Sequence, residues 1–527
     1  MTQGEQGAVN EPGEYFRLGN RSQPRQRRFA FFEEPRYAVA VAGIMVLGIV
    51  LRIAATWPMS MHHPDEVIQY LEQAHRLVFG YGVIPWEYRY GMRQWLLPLL
   101  LAGPMKLGDL IAPASDLYLM LPRMAVAMLS ISIMAAALKL GNGISRLHGL
   151  VAMFVAAIWF EFVHFAAHTL TEPLATAVFL CAAVLLLRPF AASTRAIFWG
   201  GLLLGLTAIL RFHYLPAIAV LALFTSGKDV KERWLPLAAG GLTALAGAGL
   251  IDLMMGATPF AWMVENFRMN ITENRAADFG VSGPLAYFGQ MLSYWQLAAI
   301  PLLMLARSVK PYQPLFWAAV VNLGVHMLIG HKEYRFIFLS ISVFIIFAAL
   351  GSVDLMHRLQ KWFPRGRAWG LLTPVALVLC WTALSLSLAD AKPMRAQWTT
   401  FDGALNAMKT VGRTKRYCGV GLYHGQIWVA GYSYLHRPIP IYILGIDVPD
   451  ITPAAQLAAA SPAYNAILAS PGAAADMPSH YRLQRCFGGR KDHFYDPSIC
   501  VFERPGGCFE QAGEELEIQK VLLRRDR

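Results

Sequence analysis

The sequence predicts a polytopic α-helical membrane protein with about eleven transmembrane helices and a small α/β unit at its C-terminal end. Three observations predict it. Of 527 residues, 56% are hydrophobic and 15% charged, with mean hydropathy +0.40, the balance of a chain that spends most of its length in lipid. Apolar runs recur near 37–56, 118–138, 149–165, 171–188, 196–210, 213–226, 235–255, 286–306, 313–330, 336–353 and 369–389. Each is long enough to span with some tilt or to lie buried in a bundle. Basic clusters fall in alternate turns, at Lys139 to Arg146, Arg188 to Arg195, Lys228 to Arg233, Arg307 to Lys310 and Arg358 to Arg367. That alternation is the positive-inside pattern, so the net charge of +12 reports membrane orientation and argues against a nucleic-acid partner.

Residues 1–36 form a basic arm, with Arg17, Arg21, Arg25, Arg27, Arg28 and Arg36 ahead of the first apolar run. It is expected in the cytoplasm and is not a cleavable signal. Residues 37–389 form the membrane unit, and the loop at 57–117 falls on the outer side. So do 164–170, 256–285 and His331 to Arg335, because turns on one side are separated by an even number of crossings. The apolar stretch 95–112 would break this parity if it spanned, and is expected to be interfacial or re-entrant. After about residue 390 strand-like runs appear at Tyr417 to Tyr423, Ile439 to Leu444, Tyr464 to Ala469, Tyr481 to Phe487 and Ile499 to Phe502, separated by Pro, Gly and Asp. Residues 390–527 therefore read as an α/β domain in the outer compartment. Cys418, Cys486, Cys500 and Cys508 all lie in it, consistent with disulfides in an oxidising space; a pair among the last three is favoured.

The candidate chemistry gathers on the predicted outer side. Asp65 and Glu66 follow the first span, where acids are costly and usually functional. Apolar residues at 67, 71, 74 and 78 predict a helix lying along the membrane with these two acids at its start. Glu161, His164, His168 and Glu172 occupy the next outer turn, Arg211 and His213 another, and His331-Lys332-Glu333-Tyr334-Arg335 the last. Positive-inside bias works against an outer cluster of cations, so the last block and Arg211 point to an anionic partner, a lipid phosphate. Glu161, His164 and His168 share a helical face, but a polar vestibule explains them better than a metal site. Trp86, Tyr88, Tyr90 and Trp95, with Arg89, Arg93 and Gln94 between them, suit either an interfacial aromatic belt or the faces of sugar rings.

Met61-His62-His63-Pro64-Asp65-Glu66, followed by Gln69, Glu72, His75, Gly80-Tyr81-Gly82, Trp86-Glu87-Tyr88 and Arg93-Gln94-Trp95, resembles the first outer loop of glycosyltransferase family 22. These are mannosyltransferases that use lipid-phosphate mannose. His331-Lys332-Glu333-Tyr334-Arg335-Phe336 is similar to the family's second signature, HKEERF, with Tyr334 where the family has an acid. The resemblance runs from about 60 to 340. It implies a GT-C fold and an inverting transfer of a hexose, most simply mannose, from a polyprenyl- or dolichyl-phosphate donor to a lipid-linked glycan or glycolipid. Asp65 and Glu66 are then the catalytic residues, with Asp65 as base. His331, Lys332, Arg335 and Arg211 hold the donor phosphate, and Glu172, His168, Trp86, Tyr88 and Arg93 line the acceptor vestibule. No cofactor or metal is implied. A transporter, a silent scaffold and a GT-C enzyme using another lipid-phosphate sugar are the competing readings; no inverted repeat supports the first. An Ala- and Arg-rich composition points to a bacterial inner membrane with a periplasmic site, and the sequon Asn270-Ile271-Thr272 leaves the endoplasmic reticulum as the alternative.

Overall fold

The computed structural model describes residues 35–187, 193–362, 367–424, 431–445, 452–488 and 498–525. Most of the basic arm and part of the Arg188 to Arg195 cluster fall outside them. Every apolar segment expected from the sequence is helical. Among the described residues six helices are long and apolar enough to cross a membrane, and a bent pair, Arg146–Ile158 with Phe160–Ala166, makes a seventh. Thr171–Leu186, Thr194–Leu210, Phe212–Ser226 and Gln313–Leu328 are apolar but shorter. At about 1.5 Å per residue each falls short of a hydrocarbon core of roughly 30 Å. The stretch expected to be interfacial is the helix Leu96–Ile111, which carries Pro104 and packs as a hairpin on Leu117–Leu129.

Local sequence sets the helix ends. Ser145 and Ser193 accept from the backbone N–H three residues on, satisfying donors that a first turn leaves open. Pro216, Pro236 and Pro314 sit in first turns, where no backbone donor is missed. Gly201 and Gly240 let Thr194–Leu210 and Leu235–Met254 approach until a Cβ on either would strike the opposing backbone.

One bend steers the site. Trp159 leaves the helical region, and the two pieces of that span meet at 54°. The break strands carbonyls, which Arg52 and Ser385 collect. The buried Arg52 guanidinium donates to the carbonyls of Ala156 at 3.0 Å and Ala157 at 3.3 Å, and Ser385 Oγ donates to that of Ile158 at 2.9 Å. A buried arginine in a span is tolerable because bent backbone supplies its partners. The bend turns Glu161 and His164 inward, where both are buried. The most completely buried span is Tyr334–Trp362.

The C-terminal part builds a five-stranded mixed sheet in the order β2-β1-β3-β5-β4. Its strands are β1 (Val420–Tyr423), β2 (Ile441–Leu444), β3 (Ala466–Ala469), β4 (Arg482–Phe487) and β5 (Ile499–Glu503). β1 runs parallel to β2 and β3, while β5 is antiparallel to β3 and β4. Cys486 and Cys500 face each other across β4 and β5 and form one disulfide; Cys418 and Cys508 form the other.

The sequence does not show what covers one helix. Residues 66–79 are helical, opening as a π-helical stretch at Glu66–Leu71, and their polar face is not left to water. Glu72, Gln73 and His75 are fully buried. The face that periodicity assigns to water is covered by residues 431–436. There the Glu72 carboxylate accepts from the backbone N–H of Tyr432 and Ser433, both at 2.8 Å, and His75 Nε2 lies 3.1 Å from His436 Nδ1. Tyr118 also donates to the Ser433 carbonyl at 2.7 Å, and Asp116 pairs with Lys409 at 2.8 Å and Arg413 at 2.7 Å.

Candidate active site

Four chain segments bring alternating charges together around Asp65. Asp65 stands at the entry to the helix after Pro64, and Arg335 lies in the first turn of the most buried span. Glu172 belongs to the first turn of Thr171–Leu186, and Arg211 ends Thr194–Leu210. Arg335 Nη2 donates to Asp65 Oδ2 at 2.6 Å, its Nε donates to Glu333 Oε2 at 2.6 Å, and its Nη1 lies 3.3 Å from Glu172 Oε1. Arg211 Nη1 approaches the same Glu172 oxygen at 3.1 Å. His63 Nδ1 is 3.3 Å from Asp65 Oδ1, and His331 Nε2 is 3.0 Å from Glu333 Oε1. The guanidinium of Arg335 is therefore a hub for three carboxylates.

Exposure separates the members of this lattice. Side chains of Arg335 and Glu172 keep 3% and 0% of their surface, whereas Asp65 keeps 23% and Glu333 19%. Asp65 and Glu333 are thus the acids that an outside molecule reaches, and Glu333 is shared among Arg335, His331 and His63. Burial alone would raise its pKa, but His63 and Arg335 outweigh burial and hold it well below the usual carboxylate range. Glu333 is lowered in the same way, chiefly by Arg335 against burial. His63 is raised, Asp65 overcoming the effect of burial.

The other expected residues divide by partner. Glu66, paired with Asp65 in the sequence reading, points elsewhere. Its Oε1 accepts from the backbone N–H of His62 at 2.6 Å and His63 at 3.2 Å, and its Oε2 meets His168 Nδ1 at 2.9 Å. Adjacent residues at a helix start diverge by about 100°, so Glu66 and His168 brace the HHP turn rather than face the opening. Tyr88 is spent too, its hydroxyl donating to the Gln69 carbonyl at 3.0 Å while its ring packs on Trp95 at 4.8 Å. Trp86 stacks on Phe279 at 6.4 Å. His331 and Arg335, expected on a donor phosphate, both grip Glu333, and Lys332 donates to the Ile329 carbonyl beside the Tyr287 ring.

Tyr334, the departure from the HKEERF pattern, faces away from this lattice. Its hydroxyl donates to Glu161, which also accepts from Trp159 Nε1 at 2.7 Å and Trp295 Nε1 at 3.1 Å, and its ring stacks on Tyr294 at 4.2 Å. The acid-to-tyrosine change therefore leaves the Asp65 surroundings untouched.

Beside the lattice opens a small cleft, whose lining includes Tyr70, Arg93, Thr171, Arg211, His213 and Trp262. Arg93 is close enough to lower the Asp65 pKa further. Two groups here escaped the sequence reading. Trp262 sits on the short helix Ala261–Phe267, which no apolar run announces, and Glu333 drew no catalytic or binding role of its own although it is the acid that two cations share with His63. The signal for Glu333 was present: one acid inside a block of four basic or aromatic residues has to satisfy more than one of them.

Similarity to known proteins agrees with this geometry. The profile of the Alg9-like mannosyltransferase family matches residues 43–410. GPI mannosyltransferase 3 of Yarrowia lipolytica is 27% identical over 439 residues, 77% of each chain. GPI alpha-1,2-mannosyltransferase 3 of Homo sapiens is 24% identical over 427 residues, 74% of this chain and 69% of that one. In fold, the chain resembles ArnT from Cupriavidus metallidurans bound to undecaprenyl phosphate, with TM-score 0.53 and 13% identity, covering 88% of this chain and 97% of that one. A profile spanning both signature motifs, together with the GT-C architecture, shows that this multi-pass membrane protein belongs to the Alg9-like mannosyltransferase family.

Proposed function

We propose that the protein transfers mannose from a polyprenyl-phosphate-linked donor to a glycolipid acceptor on the outer face of its membrane, with Asp65 as the base. The observation that carries this reading is the pairing of Asp65 with Arg335, which joins the family's two signature blocks at 2.6 Å and leaves Asp65 partly exposed. The acceptor class follows from the GPI mannosyltransferases that the chain resembles, and the lipid-phosphate donor from the likeness to a fold seen with undecaprenyl phosphate. The outer placement rests on the basic turns, on the two disulfides of the C-terminal part, and on their need for an oxidising space. We assign that space to a bacterial periplasm on composition, and all eleven apolar helices to the membrane bundle.

The chemistry is one displacement. The acceptor hydroxyl oxygen bonds to the anomeric carbon as the carbon–oxygen bond to phosphate breaks, and the electron pair leaves on the phosphate. The hydroxyl proton passes to the Asp65 carboxylate. A carboxylate held this acidic is a weak base toward a free alcohol. It suffices for an oxygen already bonding to an electron-poor carbon, whose proton has become strongly acidic. Arg335 keeps the carboxylate ionised and fixes its direction, and Glu172 and Glu333 hold Arg335 in place.

Incubation of the purified protein with radiolabelled polyprenyl-phosphate mannose and lipid extract from its source tests the reading. A glycolipid heavier by one hexose is expected. Movement of a solute without covalent change, or labelling only from a sugar nucleotide, would reject it.

A further inference from the structure

Four buried donor or ring nitrogens with no partner line the cleft beside Asp65. Arg93 Nε, Arg211 Nε, His213 Nδ1 and Trp262 Nε1 each lack a hydrogen-bond acceptor, and all four residues border the same empty space. Orphaned buried polar groups are costly, and several facing one cavity mark the place of a missing acceptor. Two are arginines, so that acceptor is an anion. The cations of the HKEYR block are committed elsewhere, Arg335 and His331 to carboxylates and Lys332 to a backbone carbonyl.

We propose that the phosphate of the lipid-linked sugar is seated by Arg93, Arg211, His213 and Trp262, and that the HKEYR block instead frames Asp65. The seat rests on the lipid-phosphate reading above and fixes its donor site. Its position fits the displacement. Glu172 bridges Arg211 to Arg335, and Arg335 holds Asp65, so one line of alternating charges runs from the departing phosphate to the base. The sugar would lie between them, with attack and departure on opposite sides of its anomeric carbon. The lining supplies both hydrogen-bonding and apolar contacts there: Tyr70 and Thr171, whose hydroxyls lie 3.4 Å apart, and Leu210 with Ile209.

Binding of sugar-free polyprenyl phosphate to the full-length protein in lipid nanodiscs tests the seat without requiring turnover. Arg93→Gln and Trp262→Phe are the informative variants, since neither residue takes part in the Arg335 lattice. Loss of one charge-assisted contact is expected to weaken binding on the order of tenfold in Arg93→Gln, with a smaller loss in Trp262→Phe. Lys332→Gln should change it less than either. Normal binding by Arg93→Gln, or a larger loss in Lys332→Gln, would overturn the seat while leaving the enzyme reading intact. A parallel arm with phosphatidylinositol separates donor phosphate from an acceptor headgroup; selective loss of that lipid in Arg93→Gln would assign the cleft to the acceptor and overturn the proposal. A wild-type protein indifferent to polyprenyl phosphate would overturn the donor reading itself.

Discussion

Asp65 and Glu72 lie on one helical segment, both held by several partners, yet the two regions are built on opposite principles. Asp65 is gripped by side-chain cations, Arg335 at 2.6 Å and His63 at 3.3 Å, and stays 23% exposed. Glu72 is fully buried and accepts from backbone N–H groups of Val83 at 2.7 Å and of Tyr432 and Ser433 at 2.8 Å. Net positive surroundings depress the Asp65 pKa, whereas burial raises that of Glu72 against those amides. A carboxylate among movable charges at an opening stays ionised and reachable. One locked to backbone amides without water fastens two parts of the chain together.

Four experiments would sharpen or break this contrast. Asp65→Asn should lower turnover by about 10²- to 10⁴-fold, the usual worth of a general base, with little change in melting temperature. Retention of more than about a tenth of wild-type turnover would remove Asp65 from the chemistry. Glu72→Ala should do the reverse: it orphans three buried donors and should cost about 3 kcal/mol, read as a lower thermal midpoint and faster hydrogen exchange at 431–436. Turnover per folded molecule should change little, and a loss rivalling that of Asp65→Asn at normal stability would erase the distinction.

Arg335→Lys comes next. A lysine ammonium cannot span Asp65, Glu172 and Glu333 as a planar fork does, so kcat should fall on the order of tenfold while KM for the donor holds. A selective rise in donor KM would return Arg335 to the phosphate.

The smallest effect is on pH dependence. Burial pushes His75 down to about 3 and lowers His436 as well, so the dock binds its histidines neutral. The unfolded chain takes up protons below about pH 6.5 and the docked one does not, so docking is intact above that pH and weakens as pH falls. At pH 5 one such histidine costs up to about 2 kcal/mol. The depressed Asp65 carboxylate behaves differently, contributing fully above about pH 3.9 and losing its contribution only as pH falls toward its lower folded value. Hydrogen exchange at pH 7 and pH 5 should therefore show residues 72–84 and 431–436 loosening; no change there would mean that the dock does not rest on neutral histidines.

Much of this architecture was legible because its signals are local. Runs of apolar residues name their own helices, and the five strands fell where strand-like runs lie between Pro, Gly and Asp. Asp65 and Arg335 could each be picked out, since a charged residue at membrane depth is conspicuous wherever it stands. Their contact with each other could not be read, and Arg335 read as a phosphate ligand because a cation shows its charge in sequence but not its partner. The partners of the helix at 66–79 escaped the sequence for a related reason. Periodicity reports that a face is polar, and a polar face is satisfied equally well by water or by the amides of Tyr432 and Ser433.

The sequence by itself determined the membrane class, the order of helices and strands, the two signature motifs and the residue types available for catalysis. Hydrophobicity and charge act on each segment whatever lies beside it. Only the tertiary structure decided that Arg335 belongs to Asp65, 270 residues away, that Glu66 belongs to His168, and that Arg93 and Arg211 keep donors to spare. Charges in a low-dielectric interior take whichever partners the packing brings within about 3 Å, and that choice is made by the bend at Trp159 and the closing of the bundle, not by spacing along the chain.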